Sequence, residues 1–148
     1  MADDSVTLTL SPPWKETESG QTIVLFIQAT TSSQRLQRVG VTGLGLANDT
    51  VVGISTEEMA YGEQYLNYEF VLPPSALTDS VWSWNVSISS SNDGGMTWLA
   101  SEVKIANDIS VSEGLMDAAF AFANDDGDID RDFNDTVVQV SAFNNSRD

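Results

Sequence analysis

Residues 124–135 read Asn124-Asp125-Asp126-Gly127-Asp128-Ile129-Asp130-Arg131-Asp132-Phe133-Asn134-Asp135, six aspartates and two asparagines with one cation among them. Carboxylate and amide oxygens are the hard donors that Ca²⁺ gathers in sets of about six to eight, and the alternate spacing of Asp126, Asp128, Asp130 and Asp132 can aim several at one point from a curled backbone. Six carboxylates less Arg131 leave the loop at −5; one Ca²⁺ brings it to −3 and two bring it to −1, so the charge arithmetic favours two ions. A run of like charge is most often a solvated loop or an acidic tail. Here apolar runs bound it on both sides and Ile129 and Phe133 sit within it, so the expectation is an ordered loop neutralised by metal. An EF-hand does not fit. The pattern D-x-D-x-D occurs at Asp126, Asp128, Asp130 and again at Asp128, Asp130, Asp132, but the sixth position is then Arg131 or Phe133 instead of Gly, and the twelfth is Val137 or Gln139 instead of Glu.

Strands must position such a loop. Period and punctuation divide the chain into nine β-like runs, 6–10, 22–29, 36–44, 51–56, 64–72, 80–89, 96–105, 115–123 and 136–143, with no stretch of helical period. The expected fold is all-β, a single domain over residues 1–148 built as an antiparallel β-sandwich of about nine strands, of jelly-roll or Greek-key type. Within the run 80–89, Trp82, Trp84, Val86 and Ile88 alternate with Val81, Ser83, Asn85 and Ser87, which predicts a strand with one buried face at the centre of the core. Breaks are expected at Pro12-Pro13, Ser19-Gly20, Asn48-Asp49, Pro73-Pro74, Asn92-Asp93-Gly94-Gly95 and Asn107-Asp108, where turn chemistry concentrates.

Composition narrows the function. A length of 148 residues suits one domain with a real core. Neither cysteine nor histidine occurs, which removes disulfides, thiolate zinc sites, the commonest transition-metal ligand and the commonest general base. The net charge of −16 repels phosphate backbones, so nucleic acid is not an expected partner. No apolar run approaches the roughly 20 residues of a membrane helix. The start, Met1-Ala2-Asp3-Asp4, has neither the basic nor the apolar part of a secretory signal, and the expectation is a cytoplasmic or non-classically exported chain. An enzyme is not expected: calcium ligands must stay ionised and make poor general acids, and Glu57-Glu58 and Glu63 read as solvated charge.

The run Asp130-Arg131-Asp132-Phe133-Asn134-Asp135-Thr136-Val137-Val138, preceded by Phe120-Ala121-Phe122, resembles the D-x-D-[YF]-N-D-x-V-V hallmark of the calcium-mediated fucose- and mannose-binding bacterial lectins (LecB-like). The match lies mainly in the last third of the chain and does not extend before Ser80. The resemblance implies a nine-stranded sandwich in which two adjacent calcium ions are held by this loop and completed by sugar hydroxyls. It places Asp126 and Asp130 on one ion and Asn134 on the other, with Asp132 and Asp135 bridging the pair. Asp128 is a further candidate metal ligand from its spacing in the acidic run, and the sugar-contacting set would include Asp126, Gly127, Asp130, Asp132, Asn134, Asp135, Glu18 and Ser19. The sequence departs from the family at three places. An early Asn ligand is replaced by the stretch Glu16-Thr17-Glu18-Ser19-Gly20, where Glu16 or Glu18 could substitute; a sugar-contacting acidic residue is replaced by Gly127; and the chain runs on through Asn144-Asn145-Ser146-Arg147-Asp148 where the family ends in a Gly whose carboxylate reaches a partner's calcium. The implied partner is a monosaccharide or glycan, bound by a homo-oligomer, dimer or tetramer, because weak single sites become useful through multivalency. The second reading is a calcium-stabilised structural or adhesive module without sugar binding.

Ser91-Asn92-Asp93-Gly94-Gly95-Met96-Thr97-Trp98 fits S-x-D-x-G-x-T-W and resembles the Asp box of sialidases. It reads as a hairpin turn capped by Ser and Asp, with Gly supplying positive φ and Trp packing beneath. Trp14, Trp82, Trp84 and Trp98 are expected in the core instead of serving as sugar platforms.

Overall fold

In a computed structural model the chain is described over residues 5–11, 23–33, 35–43, 51–56, 63–71, 82–111, 116–124 and 135–144. Among these residues there are ten strands and no helix: β1 (Ser5–Leu10), β2 (Ile23–Thr31), β3 (Leu36–Gly43), β4 (Val51–Ile54), β5 (Glu63–Val71), β6 (Trp82–Ser91), β7 (Leu99–Ala100), β8 (Glu102–Val111), β9 (Met116–Asn124) and β10 (Thr136–Asn144). They form two antiparallel sheets. One has the order β1-β6-β3-β4 with β7 also paired to β6, and the other runs β5-β2-β10-β9-β8.

Period-two burial builds the core between them. Trp82, Trp84, Val86 and Ile88 of β6 are all buried, and β6 lies between β1 and β3 as its alternation predicts. Leu8 and Leu10, Val39 and Val41 complete that face. From the opposite sheet come Ile23, Leu25, Ile27 and Ala29 of β2, and Val138, Val140 and Ala142 of β10. To this cluster β9 contributes only Ala119, Ala121 and Ala123, a small-residue face.

Two sequence expectations are corrected. The run 96–105 is not one strand. Met96 and Thr97 belong to the turn after β6, β7 closes that hairpin by pairing Ser89 with Ala100 and Ser90 with Leu99, and the chain then crosses at Ser101 to begin β8 in the other sheet. An alternating pattern carries no mark of the sheet to which a strand belongs, which is why two strands read as one. Nor does Asn107-Asp108 end a strand. The register of β8 against β9 shifts between Ala106 and Ile109, and Asp108 takes φ of 55°, so the pair forms a bulge inside β8. The other expected breaks, at Pro12-Pro13, Ser19-Gly20, Asn48-Asp49 and Pro73-Pro74, lie outside the described residues.

The bulge fastens one side of the sandwich. Both β1 and β8 are edge strands, and an unpaired edge leaves N–H groups without acceptors. Here the Thr9 N–H donates to Asn107 Oδ1 at 3.0 Å, the Ser11 N–H donates to Asp108 Oδ1 at 2.7 Å, and the Ser11 hydroxyl donates to Asp108 Oδ2 at 3.1 Å. Behind Asp108 lies the buried Asp117, whose carboxyl is hydrogen-bonded to it. Burial, then the hydrogen bond and charge of Asp108, push the Asp117 carboxyl up to about 7, while Asp108 is held below its ordinary value, chiefly by its bond to Asp117. On the other side of the sandwich β4 approaches β5 so closely that a Cβ at Gly53 would lie 2.8 Å from Leu66 Cβ and 2.9 Å from the Tyr65 carbonyl oxygen.

The pair has a pH signature. A carboxyl whose folded value is raised stabilises the fold fully below its unfolded value of 3.8, and that contribution is lost as pH rises towards about 7. The lowered Asp108 acts in the opposite sense, losing its contribution as pH falls below 3.8, so the window between belongs to Asp117. In the presence of chelator, the melting temperature of the wild type should fall more between about pH 5 and about pH 8 than that of Asp117→Asn, which cannot titrate. Equal falls in thermal melts of the two proteins would assign the pH dependence elsewhere.

Candidate functional site

β9 and β10, the strands that bound the acidic run in the sequence, pair with one another inside one sheet. Thr136 pairs with Ala123, and the Asp135 N–H donates to the Ala123 carbonyl at 3.0 Å, so the segment 125–134 leaves β9 and returns to β10 at adjacent points. Of the residues expected to form the site, Asp135 is described. Asp126, Gly127, Asp128, Asp130, Asp132 and Asn134 lie outside the described residues, as do Glu18 and Ser19. Among the described residues no group of three or more carboxylates comes together.

Asp135 is fixed from two directions. Besides its bond to β9, its carbonyl accepts from the Ser32 N–H at 3.1 Å and from the Thr31 hydroxyl at 3.2 Å, at the end of β2. The residue is 5% exposed. At the other end of the connection, Asn124 is 6% exposed and its side-chain oxygen Oδ1 is buried without a hydrogen-bond partner. A buried acceptor left unsatisfied costs about 1–3 kcal/mol, and native structures retain few of them. An amide oxygen with no donor, one residue before a run of carboxylates, fits a divalent cation chemically: every donor is a hard oxygen and the surplus charge is negative.

Directly behind Asp135 the core turns polar. Thr136, fully buried, donates its hydroxyl to Gln37 Oε1 on β3 at 2.8 Å, and lies 2.8 Å from the Tyr65 hydroxyl on β5. Ser55 closes the far side, accepting from the Gln37 N–H at 2.7 Å through its Oγ while its own N–H donates to the Gln37 carbonyl at 2.9 Å. Burial pushes the Tyr65 phenol above its ordinary value, against a smaller opposing effect of the Thr136 bond, which keeps it a neutral donor. Sequence reading missed Asn124 as a separate donor and missed Thr136, Gln37 and Tyr65 altogether. The one available signal was Gln37, a polar residue in phase with the buried positions Val39 and Val41.

The Asp-box stretch is structural, as expected. Ser91 Oγ donates to Asp93 Oδ1 at 2.7 Å and accepts from the Gly95 N–H at 2.9 Å, and the Thr97 N–H donates to Asp93 Oδ1 at 2.8 Å. Gly94 and Gly95 take φ of 74° and 93°. These donors, the Ser91 hydroxyl foremost, hold the Asp93 carboxyl down to about 2. Trp82 and Trp84 are core residues. Trp98 is not: it is partly exposed and stacks on the Arg38 guanidinium at 4.4 Å, because the turn delivers it to the outer face of β3. Trp14 lies outside the described residues.

No family model and no curated protein matches the sequence. Solved structures do match in fold. The chain is similar to the Chromobacterium violaceum lectin CV2L, solved in complex with alpha-methyl-fucoside, with a TM-score of 0.50 and 11% identity over 95% of this chain and 96% of that one. It is also similar to the C-terminal domain of the BC2L-C lectin from Burkholderia cenocepacia, with a TM-score of 0.51 and 9% identity over 93% of this chain and 96% of that one. The likeness is one of fold.

The orphaned amide gives a test independent of any sugar. Asn124→Leu removes an unsatisfied oxygen, so the metal-free protein should melt at the same or a higher temperature than wild type, by at most about 3 kcal/mol of added stability. The rise in melting temperature on adding calcium should shrink. Thermal melts with chelator and with calcium read both; a leucine variant destabilised in chelator and raised by calcium as much as wild type would show that Oδ1 serves no cation.

Proposed function

We propose that this protein is a calcium-dependent carbohydrate-binding protein, a lectin, whose 124–135 segment holds one or two calcium ions. The observation that carries the reading is the coincidence of two independent facts. The acidic D-x-D-F-N-D run stands on the β9–β10 connection, and the fold around it is shared over 95% of the chain with a lectin solved with alpha-methyl-fucoside. The orphaned Asn124 oxygen and the buried Asp135 at the two ends of the run support it.

In this reading Asp126 and Asp130 would hold one ion and Asn134 the other, Asp132 and Asp135 would serve both, and Asp128 would be a further carboxylate donor. When bound, calcium supplies coordination positions for vicinal sugar hydroxyls, so recognition needs no deep pocket. The protein's own part is to hold the carboxylates together despite their repulsion, which falls to the paired strands and to the clamp on Asp135. Gly127, Glu18 and Ser19 would border the sugar. Fucose and mannose are the sugars to test first, and assembly into a dimer or tetramer would turn weak single sites into avid binding.

Asp132→Ala should abolish both the calcium-induced rise in melting temperature and saccharide binding, whereas Glu69→Ala, on the outer face of β5, should change neither. Titration calorimetry with methyl fucoside and methyl mannoside, with calcium and with chelator, checks this. If calcium raises the melting temperature and no saccharide binds, the lectin reading fails and a calcium-stabilised structural module takes its place.

A further inference from the structure

Tyr65, Thr136 and Gln37 form a one-way hydrogen-bond chain. A threonine hydroxyl has one proton to give. Gln37 Oε1 can only accept, and its amide is oriented by the bond from Nε2 to the Arg35 carbonyl at 3.4 Å, so the Thr136 proton goes to Gln37. The proton in the 2.8 Å contact between Tyr65 and Thr136 must then come from the phenol. Tyr65 donates to Thr136, Thr136 donates to Gln37, and the Gln37 backbone is held on both sides by Ser55. Three strands from both sheets meet at one hydroxyl.

Its place in the fold is what gives this chain a consequence. The central cluster of the sandwich is apolar throughout, and burying a polar network costs more than burying aliphatic side chains of the same volume unless every member is satisfied. Yet Thr31, Gln37, Ser55, Asn124, Asp135 and Thr136 are all buried, and their hydrogen bonds and strand positions gather them at the end of the sandwich from which the acidic segment emerges. Thr136 adjoins Asp135 in the chain, so fixing its side chain fixes the exit of that segment. Each bond in the chain is directional, whereas an apolar contact at the same position would hold volume without fixing the orientation of the side chain.

We propose that Thr136 is a positioning residue for calcium binding: through Gln37 and Tyr65 it holds Asp135 in the place an ion needs, so that affinity depends on a hydroxyl that touches no ion. The inference rests on the calcium reading above. Thr136→Val keeps the branched shape and removes the hydroxyl, and it should weaken calcium binding, measured by competition with a chelating dye, by at least about tenfold. Thr136→Ser should restore affinity to within about threefold of wild type. Val140→Ala, four residues further along β10 in the apolar core, should lower the melting temperature while leaving calcium affinity within about twofold. Tyr65→Phe removes only the first link and should cause a smaller loss of affinity in the same direction, which keeps the proposal testable if the valine variant does not fold. Wild-type affinity in either hydroxyl-deleting variant overturns the inference, as does an equal loss in Val140→Ala, because affinity would then follow global stability. A wild-type protein that binds no calcium removes the calcium reading and this inference together.

Discussion

The constraint on which the proposed site depends is the repulsion among the six carboxylates of residues 124–135, with one arginine to offset them. Surface charge is screened within roughly 8–10 Å at physiological ionic strength, and carboxylates one or two residues apart in a chain cannot separate further than about that distance. Such a segment can be kept ordered in two ways. Its ends can be held rigidly, which the described strands do, or its charge can be cancelled by a cation, which is what the hard-oxygen composition suits. The β9–β10 register and the clamp from Thr31 and Ser32 provide the first. The unsatisfied oxygen of Asn124 argues for the second.

The sandwich is divided between two tasks. Its middle is an apolar cluster with tryptophans on one sheet and alanines on the other, and it supplies most of the burial that holds the domain together. Its end beneath the acidic segment is built instead from threonine, glutamine, serine and tyrosine, tied by bonds of 2.7–2.9 Å. A polar end is expensive unless it is complete, and its bonds fix orientation in a way that apolar packing does not. The acidic staple between β1 and β8 works differently. There the raised Asp117 carboxyl is hydrogen-bonded to the lowered Asp108, and the bulge serves to close an exposed sheet edge.

How much of this was legible in the sequence follows from the range of the interactions involved. The alternation of Trp82 to Ile88, the hairpin at Ser91 to Trp98 and the strands bounding the acidic run are local signals, and each appears where period and turn chemistry put it. The division of residues 96–105 between two sheets was not legible, because side-chain alternation is blind to strand partners. Asn107 and Asp108 looked like a turn because their composition suits one, yet their side chains reach back almost a hundred residues to cap β1. The network behind Asp135 was hidden for the same reason: Thr136 and Gln37 are 99 positions apart, and only the fold shows that one hydroxyl joins them. In the sequence Asn124 is one more polar residue of the acidic run, whereas its burial makes it a distinct donor.

Neutralisation of this segment by divalent metal is decided by a count of bound ions. Protein purified with calcium and saturated with methyl fucoside should carry two calcium ions per chain by elemental analysis, as the charge arithmetic favours, and should release them to chelator with a large fall in melting temperature. Protein that carries no calcium under those conditions, and melts at the same temperature with chelator as without, would contradict it.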